Sequence, residues 1–170
     1  MRTYIPVTLA MLQKLVADGS LRPVSGTAFA VTPKLREAYA EGDDEELGEV
    51  ALREAALASL RLLAGAAEDG DEAGALPPRR AVLVADVSDV TLRPDLDDAV
   101  VRLGAPVTTN DVVAAFVDNA AAEAQVKAAI EVIDAADLGD EDAELTVGDA
   151  QDHDLAWYAT QELPFLLELL

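Results

Sequence analysis

Five short segments of the chain have the apolar or alternating pattern that is typical of β-strands. The clearest is residues 80–87, where almost no polar residue interrupts the apolar run, as in a strand covered on both faces. In residues 2–8, β-branched and aromatic side chains favour a strand, and Pro6 favours an edge or a strand end. The other predicted strands are residues 27–32, 99–103 and 112–117.

Apolar residues recur at helical spacing between these strands. Leu9–Asp18 follows Thr8, a capping residue, and precedes Gly19, a common helix stop. The other predicted helices begin at Thr32-Pro33, at Asp43 for residues 43–67, and at Asp118 or Asn119 for residues 120–135.

These elements predict an α+β fold with a mixed or antiparallel sheet of about four to five strands and helices mainly on one face. A ferredoxin-like arrangement is one candidate. The length predicts a single domain over residues 1–170. Within it, residues 68–78 are expected to form an acidic mobile loop, residues 137–144 an acidic turn, and residues 155–170 an apolar C-terminal arm.

The charge of the chain excludes one class of function. With 12 basic and 33 acidic residues the formal net charge is −21, so binding to nucleic acid through a basic surface is not expected. There is no cysteine, which excludes disulfides and thiolate chemistry. The longest uncharged stretches have about half the length of a membrane helix, and no signal peptide is apparent, so a cytoplasmic location is expected.

His153 is the only histidine and the natural candidate for catalysis. It could act as a general base or metal ligand with Asp152 or Asp154 orienting its ring, and Asp149 could join those two in a carboxylate site for a divalent cation. The alternative is a solvated histidine in an acidic turn. No nucleotide-binding motif occurs, and no cofactor or small-molecule ligand is identified. Ser88, between two aspartates, is the most suggestive serine, although it is also a typical turn residue.

Two acidic clusters could imitate the phosphates of DNA. They occupy residues 43–46 and residues 137–154. The alternative interpretations are helix capping for the first cluster and a solvated loop for the second.

The C-terminal arm carries the densest group of aromatic and leucine side chains. It either packs on the core of its own domain or forms an interface with a partner, most simply a second copy of the chain. The predicted interface residues are Trp157, Tyr158, Phe165, Leu166 and Leu169.

Four segments together resemble a small uncharacterised family of actinobacterial cytoplasmic proteins, a domain of unknown function. They are RTYIPVTL at residues 2–9, AVTPKLREAYAEGDDEEL at 30–47, ASLRLL at 58–63 and DHDLAWYATQELP at 152–164. The resemblance covers nearly the whole chain, but it implies no activity and no catalytic residue.

The leading hypothesis is therefore a non-catalytic cytoplasmic protein that acts through protein–protein association, as a homodimer. The alternatives are a small-molecule or divalent-metal-dependent enzyme that uses His153, and an acidic DNA mimic. A cleft that gathered Tyr4, Arg36, Tyr39, Asp86 and His153 would favour a ligand site.

Overall fold

A computed structural model of the chain describes residues 1–68 and 76–170. The acidic loop predicted near residues 68–78 falls largely on residues 69–75, which lie outside the described residues. The strands of the described part are β1 (Arg2–Val7), β2 (Ser20–Leu21), β3 (Thr27–Phe29), β4 (Ala81–Asp86), β5 (Val90–Leu92), β6 (Val100–Leu103), β7 (Val107–Thr108), β8 (Val112–Val117) and β9 (Ala156–Ala159). The α-helices are α1 (Leu9–Asp18), α2 (Pro33–Ala38), α3 (Asp44–Glu68), α4 (Glu123–Asp137), α5 (Glu141–Gln151) and α6 (Leu163–Glu168).

The main sheet has seven strands in the order β5-β6-β3-β1-β4-β8-β9, and each neighbouring pair is antiparallel. The α+β class and the five predicted strands are confirmed, and those five lie side by side in the sheet. The predicted number of four to five strands is wrong because β5 and β9, the two edges, have only three and four residues. Segments that short carry too few positions for an alternating pattern to be recognised. The strand order does not demonstrate a ferredoxin-like arrangement.

Pro6 lies in the central strand of the sheet, so its predicted place at an edge is wrong, whereas it does lie near a strand end, one residue before the last residue of β1. β1 pairs with β4 along its whole length, but with β3 only at Tyr4 and Phe29. Continuing that antiparallel register would place Pro6 opposite Thr27. The ladder stops before this pair because proline has no amide hydrogen to contribute.

Helices cover both faces of the sheet, which corrects the prediction that they lie mainly on one face. On one face, Ile5 and Leu83 pack with the buried leucines of α1 and α6. On the other face, Val82 packs with Leu47 of α3. The reason is that neighbouring residues of β4 point to opposite faces and are apolar as far as Ala85, so each face needs its own cover.

The second half of α3 supports a helical hairpin made of α4 and α5. α5 replaces the second half of the acidic turn predicted over residues 137–144. Asp140 caps it by accepting a hydrogen bond from the amide of Ala143, and the helix buries Ala143, Val147 and Ala150 on one side. The acidic residues of its first turn hid this helical spacing, although they favour the positive end of a helix dipole.

The predicted caps of the first two helices are confirmed. Thr8 accepts a hydrogen bond from the amide of Met11, and Thr32 accepts one from that of Leu35. Gly19 ends α1 with a φ of 78°, in the left-handed region that favours glycine. None of the described helices is long and apolar enough to cross a membrane.

Candidate functional site

A cleft runs between α3 and the β8–β9 side of the sheet, and we call it the α3–β9 cleft. It consists of two adjoining cavities of about 350 and 400 Å³ that share Glu49 and Leu52 of α3. The aromatic end contains Tyr4, Phe116 and Trp157. The histidine end contains Arg53, Arg80, Gln151, His153 and Asp154.

The strand register builds the aromatic end. Val82 of β4 is paired with Phe116 of β8, which is paired with Trp157 of β9, so all three side chains lie on the face towards α3. Trp157 is the outermost and remains 58% exposed.

Gly48 allows α3 to approach this face closely. A Cβ at that position would lie 2.9 Å from the hydroxyl oxygen of Tyr4, which is closer than real Cβ contacts. This approach accounts for a glycine in the interior of a helix, where it costs about 0.5–1 kcal/mol relative to alanine. The tyrosine is half-buried, and burial raises the pKa of its hydroxyl.

Two carboxylates border the aromatic end without an ion-pair partner in the described part of the chain. Glu45 and Glu49 are exposed residues of α3 that line this cavity one helical turn apart. The spacing of Glu49 and Arg53 would allow an ion pair, but the Arg53 guanidinium instead donates to the backbone oxygen of Gln151 at 3.2 Å. The neighbouring acid, Asp44, has a partner of its own in Arg36 at 2.6 Å.

A buried ion pair holds the histidine end together. The Arg80 guanidinium donates to both carboxylate oxygens of Asp118, at 2.8 and 2.7 Å, and the two side chains are 1% and 0% exposed. It also donates to the side-chain oxygen of Gln151 at 2.8 Å and to the backbone oxygen of His153 at 2.9 Å. Arg80 therefore ties the end of α5 and the chain leading into β9 to the interior of the sheet.

The His153 ring lies beside Gln125, with 3.0 Å between Nε2 and the amide oxygen Oε1. Asp149, Asp152 and Asp154 are exposed. In residues 1–68 and 76–170 no hydrogen bond joins the ring to a carboxylate, and no group of three or more potential ligands is placed to hold a metal ion.

Other predicted site residues lie at separate places. Tyr4 and His153 occupy the two ends of the α3–β9 cleft. Asp86 adjoins it only through Arg2, at 3.1 Å, and lines another cavity of about 380 Å³ together with Ser88. Tyr39 is exposed beyond the end of α2.

Some carboxylates of the two acidic clusters make hydrogen bonds or ion pairs within the chain. Asp43 accepts a hydrogen bond from the amide of Glu46 at 2.8 Å, which confirms the capping interpretation of the first cluster. In the second cluster, Asp137 pairs with Arg61 at 2.9 Å, and this hydrogen bond lowers the pKa of the aspartate.

The predicted interface residues separate onto two sides of the sheet. Leu166 is buried and Tyr158 packs against the same core, on the side of α1 and α6. Trp157 is exposed on the α3 side, whereas Phe165 on α6 and Leu169 directly after it are 69% and 86% exposed. The C-terminal arm thus packs on its own core and also leaves apolar side chains in solvent.

The outer edge of β9 has no partner strand among the described residues. The amide of Asp118 donates to the backbone oxygen of Arg80, on the β4 side. Backbone N–H and C=O groups of successive residues point to opposite sides of a strand, so those of Val117 point to β9 and those of its partner Ala156 point back to β8. The backbone N–H and C=O of the next residue, Trp157, therefore point outward from the sheet edge. The surrounding residues 155–161 carry no charge.

A family model matches residues 1–167. The chain belongs to DUF6912, a family of unknown function. Membership in DUF6912 confirms that an uncharacterised family covers nearly the whole chain, and it supplies no activity. No curated protein and no solved structure matches the chain.

Sequence reasoning missed Gly48 and the Arg80–Asp118 pair. Arg80 stands at the start of the most apolar strand, where a charged residue requires a buried partner, and this was a signal that could have been used. Its partner could not be identified, since Asp118 is 38 residues away and equally suited to cap a helix.

Proposed function

We propose that this protein acts by protein–protein association rather than catalysis, as a homodimer in which the β9 strands of two copies pair edge to edge. The observation that carries the proposal is the outward backbone N–H and C=O of Trp157 on an uncharged edge strand. Unpaired strand edges readily add another strand, and natural proteins usually protect them with charge, proline or bulges.

The charge pattern supports a second copy as the partner. An antiparallel pairing centred on Trp157 places Leu155 of one copy opposite Ala159 of the other, and no charged residue lies between them. This matters in a chain of net charge −21, where most other surfaces would bring carboxylates together on self-association.

The test compares two substitutions of the same residue. Trp157→Pro removes the outward amide hydrogen, whereas Trp157→Val removes the indole but keeps the amide. Neither loses a hydrogen bond to β8, because this amide points away from it. Light scattering should give a dimer for the wild type and for Trp157→Val and a monomer for Trp157→Pro, with unchanged circular dichroism. Equal masses for the two variants would contradict pairing through this edge.

Deleting residues 163–170 would be a poorer test. Leu163 and Leu166 are buried in the core beneath the sheet, so the truncation would lose folding stability as well as any interface.

The cytoplasmic location and actinobacterial origin belong to this proposal and rest on the composition and the resemblance. Catalysis at His153 and imitation of DNA stay predictions without a specific observation in their favour.

A further inference from the structure

We propose that the aromatic end of the α3–β9 cleft binds an arginine side chain of a polypeptide partner. This site is distinct from the backbone edge of β9, since it lies on the face of the sheet towards α3. It does not depend on dimer formation.

The charge of the cleft selects a cation. Glu45 and Glu49 are one turn apart on α3 and lack an ion-pair partner in the described part of the chain, so their like charges oppose each other. A cation between them would remove this repulsion and gain two attractive contacts. Arg2, which also lines this end, is already paired with Asp86.

The aromatic side chains favour a guanidinium among the possible cations. Trp157 is 58% exposed beside Phe116, and indole is the best of the aromatic rings for binding a cation over its face. A guanidinium is planar, so it can stack on the indole while its N–H groups donate to a carboxylate.

The rest of this cavity suits the aliphatic part of the same side chain. Val84 and Ala114, from neighbouring positions of β4 and β8, line its floor, and Leu52 lines it from α3. Three methylene groups of an arginine could cover these apolar surfaces while the charged group reaches the glutamates.

The histidine end of the cleft is a weaker candidate for a charged ligand. Arg80 there is already neutralised by Asp118, and it uses its remaining contacts to hold Gln151 and the backbone of His153. The Arg53 guanidinium contacts the backbone of Gln151 and stands near Glu49 and Asp154, so an anionic ligand would meet both signs of charge.

Trp157 is the only tryptophan of the chain, so its fluorescence, measured at one fixed protein concentration, follows the occupancy of this site. The probes are acetyl-Ala-Arg-Ala-amide and the same peptide with citrulline, which keeps the shape of arginine but has no charge. We expect a saturable change in fluorescence with the arginine peptide and binding that is weaker by about tenfold with the citrulline peptide.

A pair of variants with equal charge separates specific binding from general attraction to an acidic protein. Glu45→Gln with Glu49→Gln should weaken arginine-peptide binding by about tenfold, as expected for the loss of its charged contacts. Glu141→Gln with Glu144→Gln, on the exposed start of α5, should leave binding unchanged. No saturable signal, equal binding of the two peptides, or equal loss in the two double variants would overturn the proposal. None of these results depends on the mass of the protein in solution.

Discussion

The two edges of the main sheet are built differently. β5 is three residues long and is followed directly by Arg93, Pro94 and Asp95, with an ion pair of 2.8 Å between the two charged side chains. β9 lies within seven consecutive uncharged residues and exposes Trp157. Charge, proline and short length are the usual protections against edge-to-edge pairing; β5 is short, and the charges and the proline lie directly at its end. β9 shares only the short length, which is why we assign association to that edge.

The supports of the two edges differ as well. Beside β9, the Arg80–Asp118 pair is buried and holds both α5 and the chain that enters the strand. Beside β5, the Arg93–Asp95 pair is largely exposed. An interface that must keep its shape needs the first kind of support, because exposed pairs contribute little to stability.

The largest expected effect comes from removing the buried support of β9. Asp118→Ala leaves the Arg80 guanidinium buried without its counter-charge, which should lower the free energy of unfolding by about 3–5 kcal/mol. Urea denaturation followed by circular dichroism measures this loss. Asp95→Ala, the matched change at the β5 edge, should alter stability little because its pair is exposed. Equal effects of the two substitutions would contradict the contrast between the edges.

The next largest loss of stability is expected from α6, whose buried leucines pack in the same core as Tyr158 of β9. Leu166→Ala removes a buried side chain from the core and should cost about 2–5 kcal/mol of stability. Phe165→Ala, which removes a side chain that is 69% exposed, should leave stability nearly unchanged. Denaturant midpoints of the two variants provide the comparison. A large loss in Phe165→Ala would mean that this ring is buried in solution.

A smaller effect should follow when β9 receives the kind of protection that β5 has. Ala159→Lys places a charge opposite Leu155 of the second copy and should weaken the dimer by about tenfold, or roughly 1.4 kcal/mol. Leu92→Lys at the β5 edge, where the side chain is 41% exposed, is the control and should leave dissociation unchanged. Sedimentation equilibrium measures both constants. A dimer that tolerates the lysine at β9, or loses affinity through the one at β5, would place the interface elsewhere.

The smallest expected change in stability concerns Glu54, on the surface of α3 near Asp97 in the connection between β5 and β6. Burial and the nearby charge of Asp97 raise the pKa of Glu54 above its usual value of 4.5. A raised carboxyl pKa in the folded state means that the charged form costs stability at neutral pH and that this cost disappears as the pH falls through the raised pKa.

Glu54→Gln should therefore be slightly more stable than the wild type at pH 7, and the difference should shrink as the pH falls through the raised pKa and be gone below the usual glutamate pKa. Thermal unfolding at several pH values measures it. A variant that is less stable at pH 7, or a difference that grows in acid, would have the wrong sign.

The sequence predicted the interior of the sheet better than its edges. β4 was clear because its apolar run from Ala81 to Ala85 is typical of a strand buried on both faces. β9 was missed because four residues ending beside a short helix show no lasting period. The direction of the Trp157 amide depends on the register between β8 and β9, and no local pattern contains that register.

Only the part of the candidate site that depends on local sequence could be predicted. Trp157 stood out as the sole tryptophan in a chain with few aromatic residues. Its position opposite Glu45 and Glu49 arises only when α3 packs on the sheet, where Gly48 lets the helix approach Tyr4. Contacts between residues more than 100 positions apart in the sequence are fixed by packing and not by local preference.

The most direct test of the association through β9 is the mass of the unmodified protein in solution. Light scattering over a range of concentrations should approach twice the 17.9 kDa of one chain, and it should fall to a single chain for Trp157→Pro but not for Trp157→Val. A mass of one chain for the wild type at every concentration would contradict the account.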